Sequence, residues 1–120
     1  VDVVAEVDDY LLERAMLAES AGIARNRIMI DPGFGFGKTL EHNIQLLRKL
    51  ADLAERGLPV LVGLSRKSML GAITGNAVDS RQFESVAAAL LAIQRGAVVV
   101  RVHDVKPTKD AIKIMEKIGL

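Results

Sequence analysis

The chain has no cysteine and no tryptophan, with one tyrosine and three phenylalanines among 120 residues. Without thiols it forms no disulfide and offers no thiolate site for zinc. With aromatics at 3%, its core has to be built from aliphatic side chains. An excess of one charge is missing as well, since 16 Lys and Arg face 15 Asp and Glu for a formal net charge of +1. Nucleic-acid binding domains show a clustered basic excess, so no nucleic acid partner is expected. No apolar run approaches the roughly 18 residues that cross a bilayer, and the acidic opening VDVVAEVDDY is unlike a secretion signal. No membrane partner is expected, and the expected location is cytoplasmic.

What is present is an apolar fraction of 50%, ample for a buried core, on a length that fits one domain over residues 1–120. Val4, Val7, Leu11, Ala15 and Ala18 recur at the spacing of one helical face, with Glu6, Asp9, Glu13 and Glu19 opposite, which predicts a helix from Val3 to Ala21 stopped by Gly22. Three short apolar runs follow, RIMID, LPVLVGLS and AVVVRVHDV, each succeeded by helical spacing. The first of these helices opens on Thr39 as N-cap and stops at Gly57; the second runs from about Arg81 to Arg95; Pro107 sits in the first turn of the last. Between the second run and its helix lies a loop with a short helical turn, RKSMLGAITGNAVDS.

Continuous apolar strands that alternate with helices belong to a parallel sheet covered on its faces, in a barrel or a doubly wound sheet. Each run ends in polar groups: Asp31 in the first, Ser65, Arg66 and Lys67 in the second, Arg101, His103 and Asp104 in the third. The opposite connections, GIARNR, GLP and GA, carry no such groups. In parallel α/β folds the C-terminal strand ends face one common site, so these polar groups are expected to share a rim.

The stretch DPGFGFGKT invites a phosphate-loop reading and fails it. A Walker A loop would need glycine where Pro32 stands, and the dinucleotide fingerprint would need glycine where Lys38 stands. A glycine loop after a strand still suits close approach of backbone to a ligand, with Phe34 and Phe36 as a hydrophobic wall. The bland alternative is a turn with both phenylalanines packed inward. A carboxylate such as Asp31 at a buried strand end is costly unless paired. It suits the two parallel donors of an amino-pyrimidine edge, or a salt bridge to Lys67 or Arg101. Period-two alternation puts Arg101 and His103 on one face, which points to an anion.

DPGFGFGKTLEHN, LVGLSRKSMLG and RVHDV, in that order, resemble dihydropteroate synthases over essentially the whole chain. The resemblance implies an α/β fold: the C-terminal part of a TIM (β/α)8 barrel, with a leading helix followed by three βα units with parallel strands and the N-terminal half of the barrel absent. It implies a folate-pathway transferase that condenses dihydropterin pyrophosphate with para-aminobenzoate, releases pyrophosphate, and is a sulfonamide target. Asp31 would hold the pterin amino-pyrimidine edge and Lys67 would hydrogen-bond the pterin. Ser68 would meet the aminobenzoate carboxylate, with Phe36 walling that pocket and Gly63 lining the substrate site. Arg101 would stack on the pterin and, with His103, bind pyrophosphate, so that Lys67, Arg101 and His103 are the expected catalytic groups. Mg2+ would assist, held by ligands outside this chain. The helix before the last strand, with Val86, Ala89, Leu90 and Ile93, and the final helix would form a dimer interface. The isolated chain is expected to be inactive, and to form a homo-oligomer or pair with the missing N-terminal half. Two other readings are a pterin-binding methyltransferase fragment, which SRKS and RVHD argue against, and a non-catalytic half-barrel assembly module.

Overall fold

The computed structural model describes residues 2–119. Helix α1 spans Val3–Ser20 and is capped by Asp2, whose carboxylate accepts from Ala5 N–H. Strand β1 is Val60–Val62 and strand β2 is Ala97–Val100; they pair in parallel with a bulge after Val60. Ile30 bridges Val60 on the other side, also in parallel, through Ile30 N–H to Pro59 O and Leu61 N–H to Ile30 O. The expected strand RIMID is therefore reduced to one bridged residue. Its only strand neighbour among the described residues is β1, and with its other edge open the ladder does not extend.

Helices α2 (Leu40–Arg48) and α3 (Leu50–Ala54) replace the single helix expected between Thr39 and Gly57. The chain tightens at Lys49, where Asp52 N–H donates to Lys49 O in i→i+3 fashion. Leu46, Leu50 and Leu53 stay buried across this break. Thr39 is the N-cap, as expected, accepting from His42 N–H. The connection after β1 folds into α4 (Ser68–Thr74) and a 3-10 turn at Val78–Ser80. Helix α5 (Gln82–Gln94) and helix α6 (Val105–Ile118) pack against one another. Pro107 lies in the first turn of α6, two residues after its start. Asp104 precedes that helix without capping it, because its carboxylate is engaged by Arg66.

The core is aliphatic as the composition requires: Leu46, Leu50, Leu53, Leu58, Val60, Val62, Leu64, Met69 and Leu70 gather around β1. Phe34 is the exception, and at 1% exposure it is one of the largest fully buried side chains. The hydrophobic wall expected of Phe34 together with Phe36 is therefore half wrong. Phe34 packs into the core, while Phe36 is 72% exposed.

Gly96 ends α5 at a φ of +106°, where an added Cβ would stand 2.6 Å from Ala54 Cβ. Gly22 ends α1 at +101°, with open space around it. Gly22→Ala is expected to cost about 1 kcal/mol, the left-handed backbone penalty, and Gly96→Ala about 2–4 kcal/mol, because a core contact must also give way. Urea unfolding of the two variants measures the difference; equal losses would show that Gly96 does not approach Ala54 as described.

Candidate active site

The glycine loop from Asp31 to Lys38 is held by its own residues. Asp31 Oδ1 accepts from Gly33 N–H at 2.8 Å, an Asx turn that starts the reversal. Lys38 Nζ turns back onto Gly33 O and Phe36 O at 2.8 and 3.1 Å, so it braces the loop internally. Asn43, 3% exposed on α2, accepts from Gly35 N–H at 2.9 Å and donates to Thr39 O at 3.1 Å. Gly33, Gly35 and Gly37 all have positive φ, which L side chains rarely adopt. The loop is an ordered turn with Phe36 standing outward, and Asp31 makes no ion pair among the described residues. The salt bridge of Asp31 to Lys67 or Arg101 is not formed.

After β1 the chain passes through Gly63, Leu64 and Ser65, all buried, to Arg66, a non-glycine residue with φ of +58°. That conformation costs about 1–2 kcal/mol, and four hydrogen bonds hold it. Arg66 N–H donates to Ser85 Oγ, Arg66 O accepts from Arg81 Nη1, the Arg66 side chain meets Asp104 Oδ1 at 3.0 Å, and Ser85 Oγ–H donates to Arg81 O. The turn presents Lys67, whose Nζ reaches Phe34 O at 2.5 Å and lies 4.9 Å from the centre of the Phe36 ring. Ser68, exposed, begins α4.

Arg101 continues the β2 ladder by one bond, N–H to Val62 O. Its guanidinium lies over Gly63, where a Cβ would stand 2.6 Å from Nη2. His103 donates its backbone N–H to Ser65 Oγ at 3.1 Å, and its ring Nδ1 is 2.8 Å from the same oxygen. Ser65 Oγ thus holds both the backbone and the ring of His103, with the direction of the ring bond set by the imidazole tautomer.

The three chain segments meet electrostatically at Lys67. Its pKa is lowered from the ordinary 10.5, first by burial and then by the positive charges of Arg101 and Lys38, while the Asp31 carboxylate pulls it back up. Asp31, Phe36, Gly63, Lys67 and Arg101 thus adjoin one another, with Ser68 next to Lys67 in the chain and His103 tied to Ser65, although no strand hydrogen bonding reaches beyond Arg101. Sequence reasoning placed Ser65 at the rim without its role in holding His103, and missed Asn43, Arg81 and Ser85. Asn43 left a trace, since positions 43, 46 and 50 form one buried helical stripe and a polar residue stands in it. Among the described residues no group of three or more His, Asp or Glu side chains gathers as a metal site.

A parallel α/β fold with cationic groups, a carboxylate and an exposed aromatic ring at adjoining strand ends defines a strand-end binding protein of the TIM-barrel or doubly wound kind. Comparison with known proteins narrows the class: the chain belongs to the pterin-binding enzyme family, which matches over residues 1–103. Over 99% of its length it is 57% identical to the dihydropteroate synthase of Neisseria meningitidis serogroup C, and over 96% of its length it is 47% identical to that of Escherichia coli K12. The chain spans 43% and 41% of those relatives. It superposes with a TM-score of 0.96 and 53% identity on the Xanthomonas albilineans dihydropteroate synthase in complex with 7,8-dihydropteroate, covering 98% of this chain and 45% of that one. The same enzyme with 4-aminobenzoic acid gives a TM-score of 0.95 at 53% identity, again covering 98% of this chain and 45% of that one. These relatives do not favour the methyltransferase reading.

The balance of charges at Lys67 has a sign that can be measured. Removing the carboxylate by Asp31→Asn is expected to lower the Lys67 pKa further, because the ammonium loses a favourable neighbour; Arg101→Met is expected to raise it toward 10.5. NMR titration of the lysine Cε resonances reads both shifts, and movement of the two variants in the same direction would contradict the described proximity.

Proposed function

We propose that this chain forms the substrate-binding rim of a dihydropteroate synthase, as the C-terminal part of its TIM barrel. The observation that carries the reading is the convergence of Asp31, Lys67 and Arg101 beside an exposed Phe36 ring. Asp31 offers a carboxylate to the amino-pyrimidine edge of the pterin, a charge-assisted pair that fixes ring orientation. Only Oδ1 is engaged by the loop, so Oδ2 is the oxygen turned to a ligand. Lys67 hydrogen-bonds the pterin ring once its Nζ leaves Phe34 O. Phe36 and the Lys67 stem form a wall for the arylamine ring, and Ser68 meets its carboxylate.

Arg101 and His103 are the donors for the pyrophosphate. As the bond from the pterin methylene carbon to the bridging oxygen breaks, negative charge grows on the departing oxygens. Preorganised donors stabilise that charge more than they stabilise the bound substrate, which lowers the barrier. The carboxylate of Asp31 favours the electron-poor pterin left behind, and the aminobenzoate nitrogen then attacks the methylene carbon and loses its proton. An aniline nitrogen is neutral and nucleophilic, so no general base is assigned. Among the described residues no group of three or more His, Asp or Glu side chains gathers to hold magnesium, and its ligands are proposed to lie outside this chain.

The exposed edge of β2, with Val98 at 66% exposure, suits pairing with the remainder of the barrel. Helices α5 and α6 suit a homodimer, with Phe83, Ile114 and Ile118 on their outer surfaces. Of Val86, Ala89, Leu90 and Ile93, Ala89 is buried within the chain and the other three are partly exposed. Among the described residues no helix is long and apolar enough to cross a membrane; a cytoplasmic location is proposed from the resemblance alone. The isolated chain is proposed to be inactive, because a complete barrel has eight strands on about 250 residues.

Calorimetric titration of a dihydropterin pyrophosphate analogue into the intact protein tests the reading. Asp31→Asn is expected to weaken binding by roughly 10- to 100-fold, the worth of a charged hydrogen-bonded pair. Gly63→Ala is expected to behave like Arg101→Ala, because the methyl group takes the space the guanidinium occupies. Ser68→Ala is expected to raise the KM for para-aminobenzoate while leaving pterin affinity near wild type. Unchanged pterin binding in Asp31→Asn would sink the assignment.

A further inference from the structure

The connection from Arg66 to Arg81 carries two of the substrate-facing residues, Lys67 and Ser68, and α5 holds it from one side. Arg81, immediately before α5, reaches back across it: Nη1 donates to Arg66 O at 2.9 Å and Nε to Asn76 O at 3.0 Å. Its guanidinium lies so close to Gly71 that a Cβ there would stand 2.3 Å from Nη2 and 2.6 Å from Cζ. Gly71 lies in the interior of α4 and is not among the positive-φ glycines, so its own backbone does not require glycine. In a helix interior alanine is the better residue on propensity. What glycine supplies at this point is room for an arginine.

Ser85, one turn into α5, accepts from Arg66 N–H at 2.8 Å and donates to Arg81 O at 2.5 Å. Both backbone polar groups of Arg66 are therefore held from the start of α5. Arg66 is also the one non-glycine residue with positive φ among the described residues, a conformation that persists only where its surroundings impose it. We propose that Arg81, seated in the gap left by Gly71, is a positioning residue that holds Arg66 in its left-handed turn and so delivers Lys67 and Ser68 to the substrates. The proposal rests on the reading of those two residues given under Proposed function. Lys67 keeps a second tether to Phe34 O, whereas Ser68 follows the backbone alone, so the arylamine side of the site depends more on Arg81.

Gly71→Ala, Arg81→Ala, Arg81→Lys and the double variant Gly71→Ala with Arg81→Ala, all made in the intact protein, test it. Gly71→Ala and Arg81→Ala are each expected to raise the KM for para-aminobenzoate roughly tenfold, with a smaller rise for the pterin pyrophosphate. The double variant is expected to be no worse than the poorer single one, and Arg81→Lys to recover part of the loss. Amide exchange of residues 66–68 is expected to quicken in both single variants, while Gly71→Ala melts at or above the wild-type temperature. Wild-type KM values for both substrates, or equal losses for both that track a lower melting temperature, would overturn the proposal. If the intact wild-type protein makes no dihydropteroate, the functional reading fails instead. The exchange measurement then still decides whether Arg81 holds the turn, and unaltered exchange overturns the proposal.

Discussion

Strand β1 is the member on which the rest of the structure hangs. Val60 and Val62 are each 1% exposed, and β1 exchanges backbone hydrogen bonds with the Ile30 segment on one side and with β2 on the other. Because all three segments run in the same direction, their C-terminal ends emerge together. That shared polarity makes Asp31, Lys67 and Arg101 neighbours although they lie 36 and 34 residues apart in the chain. A parallel arrangement needs long crossovers, and α2, α3, α4 and α5 are those crossovers, packed over the sheet so that the apolar strands are covered.

On this frame the rim is tightened by small polar residues, with the Arg66–Asp104 ion pair beside them. Ser65 ties His103 to the end of β1, Ser85 ties Arg66 to α5, and Asn43 ties the glycine loop to α2. Each is at most 8% exposed, and in that setting an unmade hydrogen bond is more costly than a made one is favourable. Buried polar groups with complete partners therefore specify loop positions sharply. The same economy of space governs the arginines, since Gly63 and Gly71 have no side chains where Arg101 and Arg81 lie.

The ionic character of the site follows from this placement. Lys67, Arg101 and Lys38 crowd positive charge at one rim with Asp31 as the nearby carboxylate, and Lys67, through its partial burial first and these charges second, holds its proton less firmly than a free lysine does. The chain belongs to the pterin-binding enzyme family and spans 43% of the length of the Neisseria relative.

Much of this was legible in the residues. Helical periodicity located α1, α5 and α6 to within a few residues; α1 lays Val4, Val7, Leu11 and Ala15 on the core and α5 lays Ala88 and Ala92 there. The polar residues that close each apolar run marked the rim, because strand polarity in a parallel sheet follows from the alternation of strands and helices alone. Other features were decided only by the tertiary structure. RIMID has the composition of a strand but pairs at a single residue, since pairing depends on a neighbour and not on propensity. Phe34 and Phe36 are two residues apart and chemically identical, yet one is buried and the other exposed, because the turn set by Asp31, Lys38 and Asn43 points them in different directions. Arg81 and Gly71 carry no mark in the sequence at all. Their relation exists only where α4 and the start of α5 are folded against each other, since it consists of space left by one residue and filled by another.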